Sequence, residues 1–375
     1  MPTAAQNGSK SVIKPRIIAI DMDGTLLGED GQISARNHAA LCAAVDAGIE
    51  VVIATGRRHS FAMRVLRPLG LPPELALISS NGTVTRTIGA IGTGNVAPIP
   101  SHLLARTQLP LPTAHWLCDH IDEFRNALVF TFDRTGADGE DSRGALVVEH
   151  LDELNASIGR WMSLNERYIE QIAPIERALE DPSNCPIQAM LCGTIERMAR
   201  AEARLLEHPG VVASTLPTGR TGATMLQGTQ QLTSAPFIVA SQRWVRGDNV
   251  ELTSGWHHNS AVSDTAEPIL TLHLTEYPLR DLSILDILPA NCSKGVALQT
   301  LATTRGIGPT EILAIGDNWN DISMLELAGH AVVMENAPDE LKAIARARGW
   351  QIAASNRKDG VAETIERVLA SRRGI

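Results

Sequence analysis

The stretch "IIAIDMDGTLL" (17–27) places two aspartates, Asp21 and Asp23, directly after a run of apolar residues. Two carboxylates this close repel each other, and burying them without a partner is costly. Residues i and i+2 of a strand share a face, but the chain is leaving the strand toward Gly24. Both acids can therefore approach one substrate atom while pointing differently, with a cation between them to offset their charge.

Polar groups also follow three other apolar runs. "VVIA" is followed by Thr55, Gly56 and Arg57, "LALIS" by Ser80, Asn81 and Gly82, and "EILAI" by Gly316, Asp317, Asn318, Asn320 and Asp321. In a doubly wound sheet, ligands bind beyond the carboxyl ends of the strands. Lys294 in "CSKG" opens a predicted helix and can reach the same crevice. The pattern therefore predicts a single polar site at one edge of the sheet.

The residue types at this edge predict phosphoryl transfer. Three acids, Asp21, Asp317 and Asp321, offer hard oxygen ligands suited to Mg²⁺. A carboxylate can act as nucleophile and form an aspartyl-phosphate, while a second acid protonates the leaving oxygen and later activates water. The predicted phosphate contacts come from Thr55, the Gly56 amide and Lys294.

The first hundred and the last ninety residues alternate between short apolar runs and helical patterns. Runs that are apolar on both faces and joined by helices are typical of a parallel sheet covered on both sides. Ser34 is a plausible N-cap of the first helix. The predicted strands are 16–20, 50–54, 75–79, 311–315, 330–334 and 350–354, and the predicted helices 35–48, 57–70, 294–306, 321–329, 337–349 and 361–373.

The middle of the chain has a different pattern. A hairpin is predicted from 127–132 and 145–150, around an acidic loop in which "DGEDS" is interpreted as a solvated turn. Helical stretches are predicted at 151–180 and 194–207, with a strand at 186–193 between them. The fold class is α/β: a discontinuous, doubly wound parallel-sheet core (16–98 and 287–375) with an inserted α+β domain (99–286). Residues 1–15 are expected to form a loose tail, and 214–268 an irregular insertion.

Composition narrows the possible partners. The chain has 375 residues, a formal charge of −9 and a pI near 5.7, which argue against nucleic acid or an anionic membrane surface. No apolar run approaches the roughly 20 residues of a spanning helix. Five cysteines at irregular spacings indicate reduced thiols in a cytoplasmic protein. The oligomeric state cannot be predicted.

The motifs "DMDGTLL", "TGR", "SNG", "SKG" and "GDNWND", in this order, resemble the haloacid dehalogenase superfamily, specifically its Cof-type phosphatases. The resemblance covers about the first eighty residues of the core and the last ninety. It implies a Rossmann-like core and a C2-type cap domain that closes over the site and selects the substrate. The interval between Glu207 and Lys294 is longer than the family's usual connection.

The resemblance also implies roles for individual residues. Asp21 would be the nucleophile and Asp23 the general acid/base. Mg²⁺ would be bound by Asp21, Asp317 and the Asp23 backbone carbonyl, with Asp321 holding metal-bound water or orienting Lys294. Phosphate would be bound by the Met22 amide, Thr55, Gly56, Lys294 and Asn320. Structural support would come from Asn336, Asn356, Asp359 and Gly360.

Together these observations predict a Mg²⁺-dependent phosphoric monoester hydrolase acting on a small phosphorylated metabolite, for example a sugar phosphate. Two alternatives remain open at this point. A phosphomutase or phosphotransferase would use the same core residues and pass the phosphoryl group to a sugar hydroxyl. A phosphometabolite-binding protein without catalysis would be expected to lack Asp21 or Asp23, and both are present.

Overall fold

A computed structural model describes residues 14–92, 97–136, 138–213, 238–239, 242–243, 269–277 and 280–373. The helices are α1 (Ala35–Asp46), α2 (His59–Leu66), α3 (Leu111–His120), α4 (Asp152–Asn165), α5 (Ile195–Leu206), α6 (Lys294–Thr304), α7 (Ile322–Leu327), α8 (Asp339–Arg348) and α9 (Gly360–Arg373). The strands are β1 (Ile17–Asp21), β2 (Glu50–Ala54), β3 (Ala76–Ser79), β4 (Val84–Thr87), β5 (Leu103–Arg106), β6 (Leu128–Thr131), β7 (Leu146–Val148), β8 (Ile169–Gln171), β9 (Gln188–Gly193), β10 (Val211–Ala213), β11 (Ile238–Val239), β12 (Gln242–Arg243), β13 (Leu270–Tyr277), β14 (Leu282–Pro289), β15 (Ile312–Gly316), β16 (His330–Met334) and β17 (Gln351–Ala353).

One sheet has eight strands in the order β17-β16-β15-β1-β2-β3-β4-β5. Strands β1, β15, β16 and β17 pair in parallel. Every residue of β1 and β15 is buried, as their uninterrupted apolar sequences require when helices cover both faces. The predicted doubly wound α/β class is confirmed. The antiparallel strands β4 and β5 at one edge were not predicted.

The two strands that carry the aspartates of the predicted site are neighbours in this sheet. Ile17 to Ile20 of β1 pair with Ile312 to Ile315 of β15, so both strands end at the same level. From β1 the chain continues to β2 on one side, and β15 lies on the other side. Such a reversal of strand order is where doubly wound sheets bind their ligands.

A second sheet has seven strands in the order β10-β13-β14-β9-β6-β7-β8. Alternate residues of its central strands face different hydrophobic clusters: Phe130 packs with residues of α3 and α5, whereas Val129 packs with residues of α4. Helices therefore cover both faces of the sheet. The predicted hairpin is confirmed, because β6 and β7 pair in antiparallel register.

The predicted helix over 151–180 is only partly correct. Helix α4 ends at Asn165, and the chain then forms β8, which pairs in parallel with β7. Pro174 follows, and a proline within a helix removes a backbone donor and clashes with the preceding turn. The α1 N-cap is confirmed, since the Ser34 hydroxyl accepts a hydrogen bond from the Asn37 amide at 3.0 Å.

By its internal contacts the chain divides into two compact units. The first comprises the described residues within Met1–Val52, Leu301–Asn318 and Leu325–Ile375, and the second those within Ile53–Thr300 and Trp319–Met324. The predicted division into 16–98 with 287–375 and an inserted 99–286 stays a prediction. Most of the irregular insertion predicted over 214–268, and residues 1–13 of the predicted tail, lie outside the described residues; 238–239 and 242–243 pair as antiparallel strands.

Candidate active site

The turn after β1 sets two neighbouring acids apart. Asp21 is the last residue of the strand and is 3% exposed, whereas Asp23 is exposed to solvent. Asp23 has an extended backbone and Gly24 a left-handed one (φ +80°), so the chain turns away from the strand between them. The two carboxylates consequently occupy different environments, as their position at a strand end predicts.

Asp317, which follows β15, is held by residues of the same turn. The Thr25 hydroxyl donates to Asp317 Oδ1 at 2.8 Å, and Asn336 Nδ2 donates to Asp317 Oδ2 at 3.3 Å and to the Gly24 carbonyl at 2.8 Å. A Cβ on Gly24 would lie 2.2 Å from Asp317 Oδ2, so a larger residue there would force Asp317 or the turn to move. Asn336 is held in turn by the Asn356 amide at 3.0 Å.

Sequence reasoning gave Asn336 and Asn356 only as structural supports and did not identify Thr25. The signal for Thr25 was its place in the "DGT" turn, where its hydroxyl can reach back across the strand end. It fixes the orientation of a predicted metal ligand.

Two of the predicted acids come together at this edge, within the first unit. Asp21 and Asp317 each offer a carboxylate oxygen, and these two atoms lie within 4.8 Å of each other. Asp21 is buried and Asp317 is 9% exposed. Buried carboxylates at this separation repel each other strongly unless a cation offsets their charge. A set made only of carboxylate oxygens suits a hard cation such as Mg²⁺.

Lys294 and Asp321 form an ion pair inside the second unit. Lys294 Nζ donates to Asp321 Oδ1 at 2.7 Å, and both side chains are fully buried. The "SKG" segment around this lysine is closely packed. A Cβ on Gly295 would lie 2.4 Å from the Ser323 carbonyl oxygen, and one on Gly82 would lie 2.2 Å from the Ser293 carbonyl oxygen.

Thr55 and Gly56 lie in the loop after β2. Thr55 is fully buried, and its hydroxyl accepts a hydrogen bond from the Arg57 amide at 3.1 Å. The helix predicted over 57–70 begins only at His59, with Arg58 at its N-cap. Thr55 is therefore not the N-cap of this helix.

Asn320 is linked to the "SNG" loop. Asn320 Nδ2 donates to Asn81 Oδ1 at 3.1 Å, and Asn81 Nδ2 donates to Asp286 Oδ2 at 3.0 Å. Burial raises the pKa of Asp286 to about 6, against the opposing effects of the Asn81 hydrogen bond and the Lys294 charge. Sequence reasoning missed Asp286. Its signal was an acid inside the apolar strand "LSILDILP".

The interpretation of "DGEDS" as a solvated turn is only partly correct. The segment turns and Asp138 and Ser142 are exposed, but the Asp141 side chain is buried, pairs with Arg58 and accepts hydrogen bonds from Ser60 and Thr135. Arg58 also donates to Asn165 Oδ1 at 2.6 Å. The acidic loop is ordered by cationic and hydroxyl partners from α2 and its N-cap, which are distant in sequence and therefore invisible to a local pattern.

Comparison with known proteins agrees with these features. The sequence profile of the haloacid dehalogenase-like hydrolase family matches residues 18–94 and 276–365. The 5-amino-6-(5-phospho-D-ribitylamino)uracil phosphatase YwtE of Bacillus subtilis is 28% identical over 369 residues, which span 95% of this chain and 98% of the relative. Phosphatase YwpJ of the same organism is 26% identical over 358 residues, spanning 94% of this chain and 100% of the relative.

Solved structures give the same fold. The crystal structure of a haloacid dehalogenase-like hydrolase from Bacteroides thetaiotaomicron has a TM-score of 0.60 and 21% identity, and the match covers 95% of this chain and 100% of that one. The chain is therefore similar to the haloacid dehalogenase-like hydrolases, and the predicted superfamily and its class of enzyme, a hydrolase, are confirmed. No helix in the described part of the chain is long and apolar enough to cross a membrane. The cytoplasmic location stays a prediction.

Proposed function

We propose that the protein is a Mg²⁺-dependent phosphatase that hydrolyses a small phosphorylated metabolite, with sugar phosphates as the first class to test. The observation that carries the proposal is the group of acids at the ends of β1 and β15. Its named relatives YwtE and YwpJ, both phosphatases, support it. The donor set fits Mg²⁺, which when bound would neutralise charge on the transferring phosphoryl group.

In the proposed reaction, an Asp21 carboxylate oxygen attacks phosphorus and the bond to the leaving oxygen breaks. Asp23 gives its proton to that oxygen, so an alcohol departs and an aspartyl-phosphate remains. Asp23 then takes a proton from water, whose oxygen attacks phosphorus and releases inorganic phosphate with Asp21 regenerated. The exposure of Asp23 suits a group that exchanges protons with a leaving group and with water.

The remaining residues would hold the phosphate and the ion. The ion would be held by Asp21, Asp317, Asp321 and the Asp23 backbone carbonyl. The Met22 amide, Thr55, Gly56, Lys294 and Asn320 would contact phosphate oxygens, Lys294 as a buried positive charge beside Asp321.

We propose that residues 99–286 form the cap that selects the substrate, inserted between core segments 16–98 and 287–375. The seven-stranded sheet supports this, because it has hydrophobic clusters of its own. Two strands do not follow the proposed boundaries. Strand β5 lies within 99–286 but belongs to the eight-stranded sheet, and β14 of the seven-stranded sheet continues past residue 286 to Pro289.

The test measures hydrolysis of p-nitrophenyl phosphate by the wild type, Asp21→Asn, Asp23→Asn and the control Asp46→Asn, which changes an exposed acid of α1. Activity should require Mg²⁺, disappear in Asp21→Asn and persist in Asp46→Asn. Asp23→Asn should release about one equivalent of p-nitrophenolate and then stall, since this leaving group needs little protonation whereas water still needs a base. Full turnover by Asp21→Asn would refute the proposal.

Product analysis with a hexose 1-phosphate distinguishes hydrolysis from the mutase alternative, since free sugar is expected and an isomeric phosphate would favour the mutase. Binding without turnover across a panel of phosphate esters would favour the non-catalytic alternative. No contact in the described residues favours either one.

A further inference from the structure

The "SNG" loop has an unusual backbone. Ser80, Asn81 and Gly82 are consecutive and all have positive φ, at 49°, 54° and 100°. Left-handed geometry costs about 1–2 kcal/mol for a non-glycine residue, so surrounding contacts must hold it. The Ser80 amide donates to the Arg57 carbonyl at 2.8 Å and the Asn81 amide to the Thr55 carbonyl at 3.1 Å.

Space around the Asn81 side chain is also defined by its neighbours. A Cβ on Gly56 would come within 3.0 Å of Asn81 Oδ1, and Gly82 packs against the backbone of Ser293. Backbone strain that is maintained by several elements at once usually serves a site. Here it places one amide side chain between Asp286 and Asn320.

The chemistry of Asp286 gives this amide a direction. An ionised carboxylate only accepts hydrogen bonds, so the Asn81 side chain must turn its NH₂ group toward Asp286. Its carbonyl oxygen then faces Asn320, which must turn its own NH₂ group toward Asn81. One acceptor at Asp286 therefore sets the orientation of two amides in series.

We propose that Asp286 is a positioning residue for phosphate binding, acting through Asn81 to orient the Asn320 amide. This inference rests on the proposed function, in which Asn320 contacts phosphate. In the orientation set by Asp286, Asn320 keeps one Nδ2 hydrogen beyond the bond to Asn81 to offer to a phosphate oxygen. In the reverse orientation Asn81 would point its NH₂ group at Asn320.

Asp286→Asn should remove the directionality, because an amide at 286 bonds to either end of the Asn81 side chain. We expect the Kd for inorganic phosphate and the KM for p-nitrophenyl phosphate to rise about tenfold, the effect of one hydrogen bond to a charged group. The change in kcat should be smaller, since this contact forms equally in the ground state and the transition state.

The decisive comparison is the exchange Asn81→Asp with Asp286→Asn. The amide at 286 then donates to a carboxylate at 81, which again accepts from Asn320, and the total charge is unchanged. We expect this double variant to recover most of the affinity lost in Asp286→Asn. A merely structural role for Asp286 would not produce this recovery. Ser283→Ala is the matched control, because it removes a different buried polar group of β14.

Phosphate binding is measured by calorimetry with Mg²⁺, and turnover is measured separately. Unchanged affinity in Asp286→Asn, no recovery in the exchange, or an equal loss in Ser283→Ala would overturn the inference. If Asp286→Asn does not fold, Asn81→Gly tests the same link, because glycine accepts the positive φ and lacks the amide; undiminished affinity in that variant would also overturn it. If the variants change phosphate affinity as expected but the wild type hydrolyses no phosphate ester, the role of Asp286 is supported and the proposed phosphatase activity is refuted.

Discussion

Replacing Gly24 with alanine tests whether the close approach of the Asp317 carboxylate to the turn after β1 is needed for activity. Gly24 has φ +80°, and a Cβ there would lie 2.2 Å from Asp317 Oδ2 and 2.8 Å from its Cγ. Ordinary contact begins at 3.4 Å. Asp317 or the turn must therefore move by about 1 Å, a displacement that can reduce turnover roughly a hundredfold in a preorganised site.

Gly48→Ala separates this effect from backbone strain. Gly48 has φ +73°, and among the described residues no atom would lie within 4 Å of a Cβ added there, so alanine suffers the left-handed penalty alone. Both variants should lose about 1–2 kcal/mol of unfolding free energy from that penalty. Only Gly24→Ala should also lose activity and bind Mg²⁺ more weakly.

The assay combines urea unfolding with hydrolysis of p-nitrophenyl phosphate over a Mg²⁺ titration. We expect Gly48→Ala to keep the wild-type kcat and Mg²⁺ dependence, and Gly24→Ala to lose about a hundredfold in kcat. Wild-type activity and Mg²⁺ affinity in Gly24→Ala would show that the placement of Asp317 beside this turn does not matter for the reaction.

Three further outcomes are expected. Lys294→Met leaves Asp321 buried without its ion pair and should cost about 3–5 kcal/mol in urea unfolding without metal, and less with Mg²⁺, which would offset that charge. Burial raises the pKa of Glu326 to about 7 from 4.5, so its contribution to stability falls as pH rises through that window. Glu326→Gln should remove this pH dependence. Between about pH 4.5 and 7, the unfolding free energy of the wild type should fall by about 3 kcal/mol more than that of the variant. Thiol reagents should label the partly exposed Cys42 and Cys185 of the native protein first, because the other three cysteines are buried and burial raises their pKa.

The sequence was most informative where a pattern is local. Strands such as β16 coincide with their predicted bounds, because a buried parallel strand needs an apolar residue at nearly every position. The acids that follow β1 and β15 could be placed at one sheet edge for the same reason. The parallel pairing of β1 with β15 brings the ends of both strands to the same level, and this places their acids side by side.

Contacts between distant segments could not be predicted in this way. Asp286 lies 205 positions from Asn81, and Asn336 lies 312 positions from Gly24. A periodic pattern does not carry such information: the acid inside the apolar strand "LSILDILP" marks Asp286 as unusual but does not name its partner. The prediction for Asp141 in the acidic loop failed for the same reason. Its charge indicated a solvent-exposed side chain, because the local sequence does not show that Arg58 pairs with it.

The contacts of Asp317 couple its position to the turn that follows β1. The strand end alone would leave this carboxylate free to rotate, but Thr25 binds one oxygen and Asn336 the other. Thr25 and Gly24 lie in the turn that begins at Asp21, so any shift of that turn also moves the acid after β15. The two strand ends are thus held in one arrangement by hydrogen bonds from neutral donors of the protein itself. A site held in this way needs little reorganisation when charge develops on a phosphoryl group, which is the condition for strong electrostatic catalysis.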